Sequence, residues 1–109
     1  MKPEIPYDDF AKLDLRVATV LSVQEHPNAD KLMLLDIDVG DERKQIVAGI
    51  RGHYQPDELV GRQIVVVNNL EEVVLRGEES NGMLLAASDG DAIVLLRPDH
   101  DCQAGAPIK

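Results

Sequence analysis

The sequence predicts a small all-β barrel, closed or half-closed, and three observations carry that reading. Five or six short strand patterns follow one another, only stub helices interrupt them, and no connection is long enough to hold the crossover helix of a βαβ unit. A β-sandwich is the alternative these patterns leave open. The 109 residues fit a single domain, 1–109, with no repeat, low-complexity tract or linker.

Pro3 and Pro6 break the start of the chain, and Asp8–Leu13 predicts a short helix whose acids suit its N-terminal end. Leu13, Leu15, Val17, Thr19, Leu21 and Val23 then alternate with Asp14, Arg16, Ala18, Val20, Ser22 and Gln24. Period two over that length predicts a long half-buried strand. His26-Pro27-Asn28-Ala29-Asp30 is turn chemistry. A second strand, Lys31–Val39, slips phase between Leu34 and Leu35, which predicts a bulge there. Gly40-Asp41-Glu42 turns the chain into a third strand, Arg43–Ala48. Gln55–Gly61 reads as one helical turn, with Pro56 early and Gly61 just past its end. Strands at Gln63–Val67, Met83–Ala87 and Ala92–Leu96 complete the set, the last two joined by the hairpin signal Ser88-Asp89-Gly90-Asp91.

Composition narrows the function. Cys102 is the lone cysteine, so no intramolecular disulfide and no Cys-based zinc cluster is expected, which fits a reducing cytoplasm. The longest apolar runs are five residues, against about 20 for a membrane helix. The N-terminus has no apolar signal core, and neither a membrane location nor export is expected. The formal charge of −9 argues against a whole surface that binds anions. That charge is unevenly spread, however. Arg43–Leu70 holds four bases and two acids, a net of +2, so the other 81 residues carry −11. Such a span can focus an anion site inside an acidic shell.

Catalytic signatures are missing. Ser80 lies in Glu78-Glu79-Ser80-Asn81-Gly82, without the glycine two residues earlier that a nucleophile elbow needs. Asp99-His100-Asp101-Cys102 has no second ligand pair at metal spacing and reads as a tail loop. No P-loop or dinucleotide fingerprint occurs. No catalytic residue, metal or cofactor is therefore expected. Gly49-Ile50-Arg51-Gly52 has the spacing of a backbone-clamping GxxG loop, yet a strand leads into it rather than a helix, and the glycines read as a tight barrel corner. Only Tyr7, Phe10 and Tyr54 are aromatic. Single-strand readers stack bases on aromatic platforms, so folded RNA suits this chain better, with Tyr54 the one candidate platform in the basic span.

Beyond periodicity, a collinear string of motifs resembles a known family. Phe10-Ala11-Lys12-Leu13-Asp14-Leu15-Arg16-Val17 and His26-Pro27-Asn28-Ala29-Asp30-Lys31-Leu32 open it. Val47–Ile50, Gly52-His53-Tyr54, Leu59–Arg62, Asn69-Leu70, Leu75-Arg76-Gly77, Ser80, Gly82-Met83, Leu85-Ala86 and Leu96–Asp99 continue it, from about Tyr7 to Ile108. This string is similar to the tRNA-binding OB domain found at the C-terminus of methionyl-tRNA synthetase, in stand-alone tRNA-binding proteins and in synthetase-associated cytokine precursors. Tyr7–Phe10 and Gly49-Ile50-Arg51 resemble the methionyl-tRNA synthetase form most. The resemblance implies an OB-fold, a five-stranded Greek-key barrel with short helices and a C-terminal extension. It further implies a non-catalytic module that binds the outside corner of tRNA by shape, that forms a homodimer, and that works beside a methionyl-tRNA synthetase catalytic domain.

By motif, the RNA-facing residues are Asn28 and Lys31 in the first loop, and Arg76, Ser80 and Met83 around the Leu75–Met83 turn. Lys31 and Arg76 would meet phosphates, and Asn28 and Ser80 would bond ribose or phosphate oxygens. Met83 is also a residue that a barrel core would take. Arg43, Lys44 and Arg51 of the basic span stand behind these. One departure is plain: where the family commonly places Lys or Arg and a proline, this chain has Glu71-Glu72-Val73-Val74. Weak binding by a single protomer follows from it. So does an alternative reading, a protein-interaction or dimerisation domain whose RNA site has decayed.

Overall fold

The computed structural model describes all 109 residues, and its spine is β1 (Leu15–Glu25). Along one edge β1 pairs antiparallel with β4 (Gln63–Val67), and along the other with β2 (Met33–Asp38). β3 (Arg43–Ala48) pairs with β2, and β7 (Met83–Leu84) with β4, giving the sheet order β3-β2-β1-β4-β7. The two outer strands meet where Asn81 N–H donates to Gln45 O (2.9 Å) and Val47 N–H donates to Ser80 Oγ (2.9 Å). The sheet is thus nearly closed, the OB-like barrel that was expected.

Its interior is filled by Ala18, Val20, Met33, Leu35, Ile37, Val39, Ile46, Ala48, Ile64, Val66, Leu84 and Leu95. Leu59 plugs one end, fully buried, from α2 (Pro56–Leu59). That turn holds because Gln55 and Glu58 form a reciprocal capping box and Pro56 supplies a fixed φ at the start. The other predicted helix shrinks to α1 (Tyr7–Phe10), which buries none of its residues.

The bulge lies elsewhere than expected. β2 keeps one uninterrupted register with β3, Met33 opposite Ala48 through Asp38 opposite Arg43. The break falls in β1, between Val20 and Ser22. Before it Ala18 and Val20 point into the barrel; after it Val23 does. One extra residue exchanges the faces of a period-two strand, so the Leu13–Val23 alternation does not form a single inner face. The Leu34–Leu35 slip has another cause. Leu35 faces the core, while Leu34 and its cross-strand partner Val47 are buried on the outer face.

A hairpin that periodicity did not foresee stands on that face: β5 (Val73–Leu75) and β6 (Glu78–Ser80). The predicted fifth strand, in turn, divides into β7 and β8 (Ala86–Asp89), and β8 pairs with β9 (Ala92–Leu95) across Gly90-Asp91. The C-terminal extension closes the molecule. β10 (Pro107–Ile108) pairs with the start of β1, while Gly105 N–H donates to Val17 O (2.7 Å) and Val17 N–H to Ala106 O (3.0 Å). Val17 is buried beside this segment, outside the core cluster.

Candidate nucleic-acid interface

Two surface segments converge beside the outer hairpin. One is the loop His26–Leu32 between β1 and β2; the other is the hairpin turn Leu75-Arg76-Gly77-Glu78. Arg76 (φ 53°) and Gly77 (φ 90°) both adopt positive φ, the requirement of a two-residue type I′ turn. Arg76 is the one non-glycine residue of the chain with positive φ. Left-handed backbone costs a side-chain-bearing residue about 1–2 kcal/mol. Strain held at an exposed arginine points to a use for its side chain.

Asn28, Lys31 and Arg76 line one open concavity of about 580 Å³, together with Ala29, Asp30 and Leu32. All three are exposed, and neither Lys31 nor Arg76 takes part in an ion pair. Asn28 Nδ2 donates to Arg76 O (3.4 Å). Three of the five motif-based residues therefore meet in one place.

The other two lie across the hairpin, along an apolar groove of about 440 Å³ lined by Val47, Leu70, Val73, Leu75, Ser80 and Met83. Met83 is 47% exposed, a surface residue and not part of the core. Ser80 is a correction. It is 3% exposed, accepts from Val47 N–H and donates to Gly82 O (3.2 Å). Its hydroxyl thus serves to close the barrel, unlike the exposed side chains of Asn28, Lys31 and Arg76.

The basic span forms no patch, which corrects the expected focused anion site. Arg43 is exposed at the start of β3, opposite Asp38. Lys44 is withdrawn: its side chain is 7% exposed, and its Nζ donates to Asn68 O (3.0 Å) and faces Glu42 (3.9 Å). Arg51 is committed inward too. Its Nε pairs with Glu25 (3.1 Å), while Nη1 donates to His26 O (3.4 Å) and Ala29 O (3.1 Å), bracing the first loop from below. Tyr54 is no base platform, since its hydroxyl accepts from Leu95 N–H (3.1 Å) and the Arg62 guanidinium lies 5.4 Å from its ring centroid.

The remaining face of the hairpin is acidic. Glu72, Glu78 and Glu79 line a further concavity of about 510 Å³ with Lys44, Gln45 and Asn81. Glu72 shares a hydrogen bond with Glu79 and feels its charge, and both effects push the Glu72 carboxyl above the usual carboxylate range. Like charges are thus packed close enough to compete for a proton beside the candidate RNA face.

Sequence reasoning also missed His26. It looked like a turn residue, but it is 2% exposed and links the two segments. Its Nε2 lies 2.9 Å from Leu75 O and its Nδ1 accepts from Asn28 N–H (2.9 Å).

With this geometry in hand, comparison with known proteins is informative. Residues 15–107 match the family model described as a putative tRNA binding domain. The methionine–tRNA ligase of Thermococcus kodakarensis is 50% identical over 105 residues, which span 96% of this chain and 14% of that enzyme. The corresponding enzyme of Methanothrix thermoacetophila is 57% identical over 109 residues, covering 99% of this chain and 16% of its own length. The chain thus spans a small fraction of these relatives. Among solved structures, a MetRS-related protein from Pyrococcus horikoshii superposes with a TM-score of 0.92 at 30% identity, covering 99% of this chain and all of that one. The chaperone CsaA from Bacillus anthracis does so with a TM-score of 0.89 at 33% identity, covering 98% of this chain and all of its own.

Proposed function

This chain belongs to the tRNA-binding domain family, and from that membership we propose that it grips folded tRNA through the Asn28–Lys31 loop and the Arg76 hairpin turn. The supporting observation is the convergence of Asn28, Lys31 and Arg76 on one open concavity. Lys31 and Arg76 are free cations at its rim and act as phosphate partners; the Asn28 amide oxygen accepts from a ribose hydroxyl. Met83 adds an exposed apolar contact across the hairpin. With so few aromatic side chains, the recognition is of backbone shape, as at the outside corner of the tRNA fold.

The module is non-catalytic and adds tRNA affinity to a partner, in this reading a methionyl-tRNA synthetase catalytic domain, inside the cytoplasm. It acts as a homodimer. Support for the dimer comes from α1 and the residues flanking it: α1 buries nothing, and Ile5, Tyr7 and Leu13 are 63%, 71% and 44% exposed. A second reading, a protein-interaction domain with a weakened RNA site, is favoured by one observation, the four glutamates Glu71, Glu72, Glu78 and Glu79 around the hairpin.

Binding of mixed tRNA in low salt separates the two readings. The expected result is measurable affinity that exceeds that for single-stranded oligonucleotides of equal length. Lys31→Ala and Arg76→Ala should each weaken binding severalfold on all tRNAs alike, since phosphate contacts carry no sequence information. No tRNA binding at low salt would overturn the tRNA reading and favour the interaction domain.

A further inference from the structure

We propose that His26 is a positioning residue for this interface: its unprotonated imidazole ties the Asn28–Lys31 loop to the hairpin turn and so fixes the spacing between Lys31 and Arg76. The inference rests on the tRNA-binding face argued above.

β5 has no burial to hold it. Val73, Val74 and Leu75 are 50%, 64% and 37% exposed. Its ladder joins it to β6 alone. Two hydrogen bonds tie the β5 side of the turn to the first loop, His26 Nε2 to Leu75 O (2.9 Å) and Asn28 Nδ2 to Arg76 O (3.4 Å). The β6 side is held separately to β3, by Gln45 Nε2 to Glu79 O (2.9 Å) and Val47 N–H to Ser80 Oγ (2.9 Å). The two ties from the first loop grip consecutive carbonyls. The first is the shorter, and it comes from a ring buried against solvent competition.

The protonation state follows from the partners. Asn28 N–H can only donate, so the Nδ1 that accepts from it carries no proton. Nε2 then holds the ring proton and donates it to Leu75 O. The rest of His26 is equally fixed: its N–H donates to Leu32 O (3.0 Å) and its carbonyl accepts from Arg51. The loop end of the strut is therefore held on three sides, and what it positions is the β5 side of the turn.

Without the strut, the hairpin is held to the barrel from its β6 side and the β5 side of the turn loses its shorter tie to the first loop, so Lys31 and Arg76 no longer arrive pre-spaced.

Three substitutions divide the ring's two bonds. His26→Ala removes both. His26→Asn places an amide oxygen where Nδ1 was and keeps the cap on Asn28 N–H, but it is too short to reach Leu75 O. His26→Gln places an amide N–H near Nε2 and keeps the strut. In tRNA binding at pH 7.5 and low salt, His26→Ala and His26→Asn should each lose about tenfold in affinity, with His26→Gln within about threefold of the parent chain.

Wild-type affinity in His26→Asn with an intact fold overturns the proposal, as does recovery by Asn but not by Gln. If His26→Ala fails to fold, the contrast between the Asn and Gln variants still decides. Lys31→Ala and Arg76→Ala in the same assay separate the failures. If they weaken binding while the His26 series does not, the strut is wrong and the tRNA face stands. If they too are silent, the face itself is wrong.

Discussion

The carboxylate of Asp14 accepts from Arg16 Nε (3.1 Å to each oxygen) and from Asn68 Nδ2 (3.1 Å), joining the start of β1 to the end of β4. The Arg16 hydrogen bond first, and the Asn68 bond second, hold its pKa below the ordinary carboxylate value of 3.8. The folded state therefore binds this proton less readily than the unfolded chain. Stability from the ionised group is complete above the unfolded value and is lost as pH falls through the folded one. Asp14→Asn should cost about 1 kcal/mol at pH 7, a modest figure because the side chain is 35% exposed and partly screened. Urea unfolding of both proteins should show the gap closing when pH drops below about 4. Single residues were unevenly legible in the sequence. Asn28, Lys31 and Arg76 are legible only through the family motif. An exposed Asn, Lys or Arg has nothing in its chemistry alone to set it apart from any other surface residue, and the structure brings the three together. That Ser80 and Lys44 are withdrawn was not legible, because burial and partners across the barrel decide whether a polar group is free. His26 was missed for the same reason in reverse.

The hairpin β5–β6 carries the clearest departure of this chain from its family, Glu71-Glu72 where bases are common. Glu72 lies with Glu78 and Glu79 along the concavity that reaches Gly77 of the turn, and these anions oppose a phosphate ligand there. Glu71→Lys/Glu72→Lys should raise tRNA affinity and steepen its dependence on salt by up to about two in the log–log slope, one per new phosphate contact. A slope unchanged by the double substitution would mean that RNA does not approach this side. The C-terminal segment offers a separate test of packing. A Cβ on Gly105 (φ +89°) would lie 2.5 Å from Val39 O and 2.8 Å from Gly40 Cα. Gly105→Ala should therefore destabilise the fold by about 2–4 kcal/mol, measured by thermal or urea unfolding. Strands with alternating faces, such as β3 and β4, matched their expected bounds, as did the Gly90-Asp91 turn. The β5–β6 hairpin did not show, because three consecutive apolar residues carry no period and Arg-Gly is an unusual pair for a type I′ turn. The β1 bulge stayed hidden because Ala18 and Val20 could be assigned to either face until β2 and the C-terminal segment fixed the register.

Taken whole, the molecule is acidic, at −9, and elongated by its N-terminal arm, with a radius of gyration of 14.0 Å against about 13 Å for a compact chain of this length. Of its 11 bases, Lys12, Arg16, Lys44 and Arg51 are tied in ion pairs with Asp9, Asp14 and Asp41, Glu42, and Glu25 respectively. Arg62 lies over Tyr54, and Lys31 and Arg76 are the cations lining the concavity. Counterion release scales with the phosphates neutralised, at about 0.9 in log–log slope per contact. One protomer meeting RNA through two cations should therefore show a shallow slope of about −2. The dimer changes the figure. If α1 and its exposed Tyr7 are covered by a second copy, light scattering at micromolar concentration should give twice 12.0 kDa. Two faces engaging one tRNA should then give a slope of about −4. A dimer mass with a slope of −2 would show that only one face binds at a time. A monomer mass would remove the second face altogether, and affinity would fall to that of a single pair of phosphate contacts. A slope steeper than −4 would require cations that lie away from the concavity, Arg43 and Arg97 first among them.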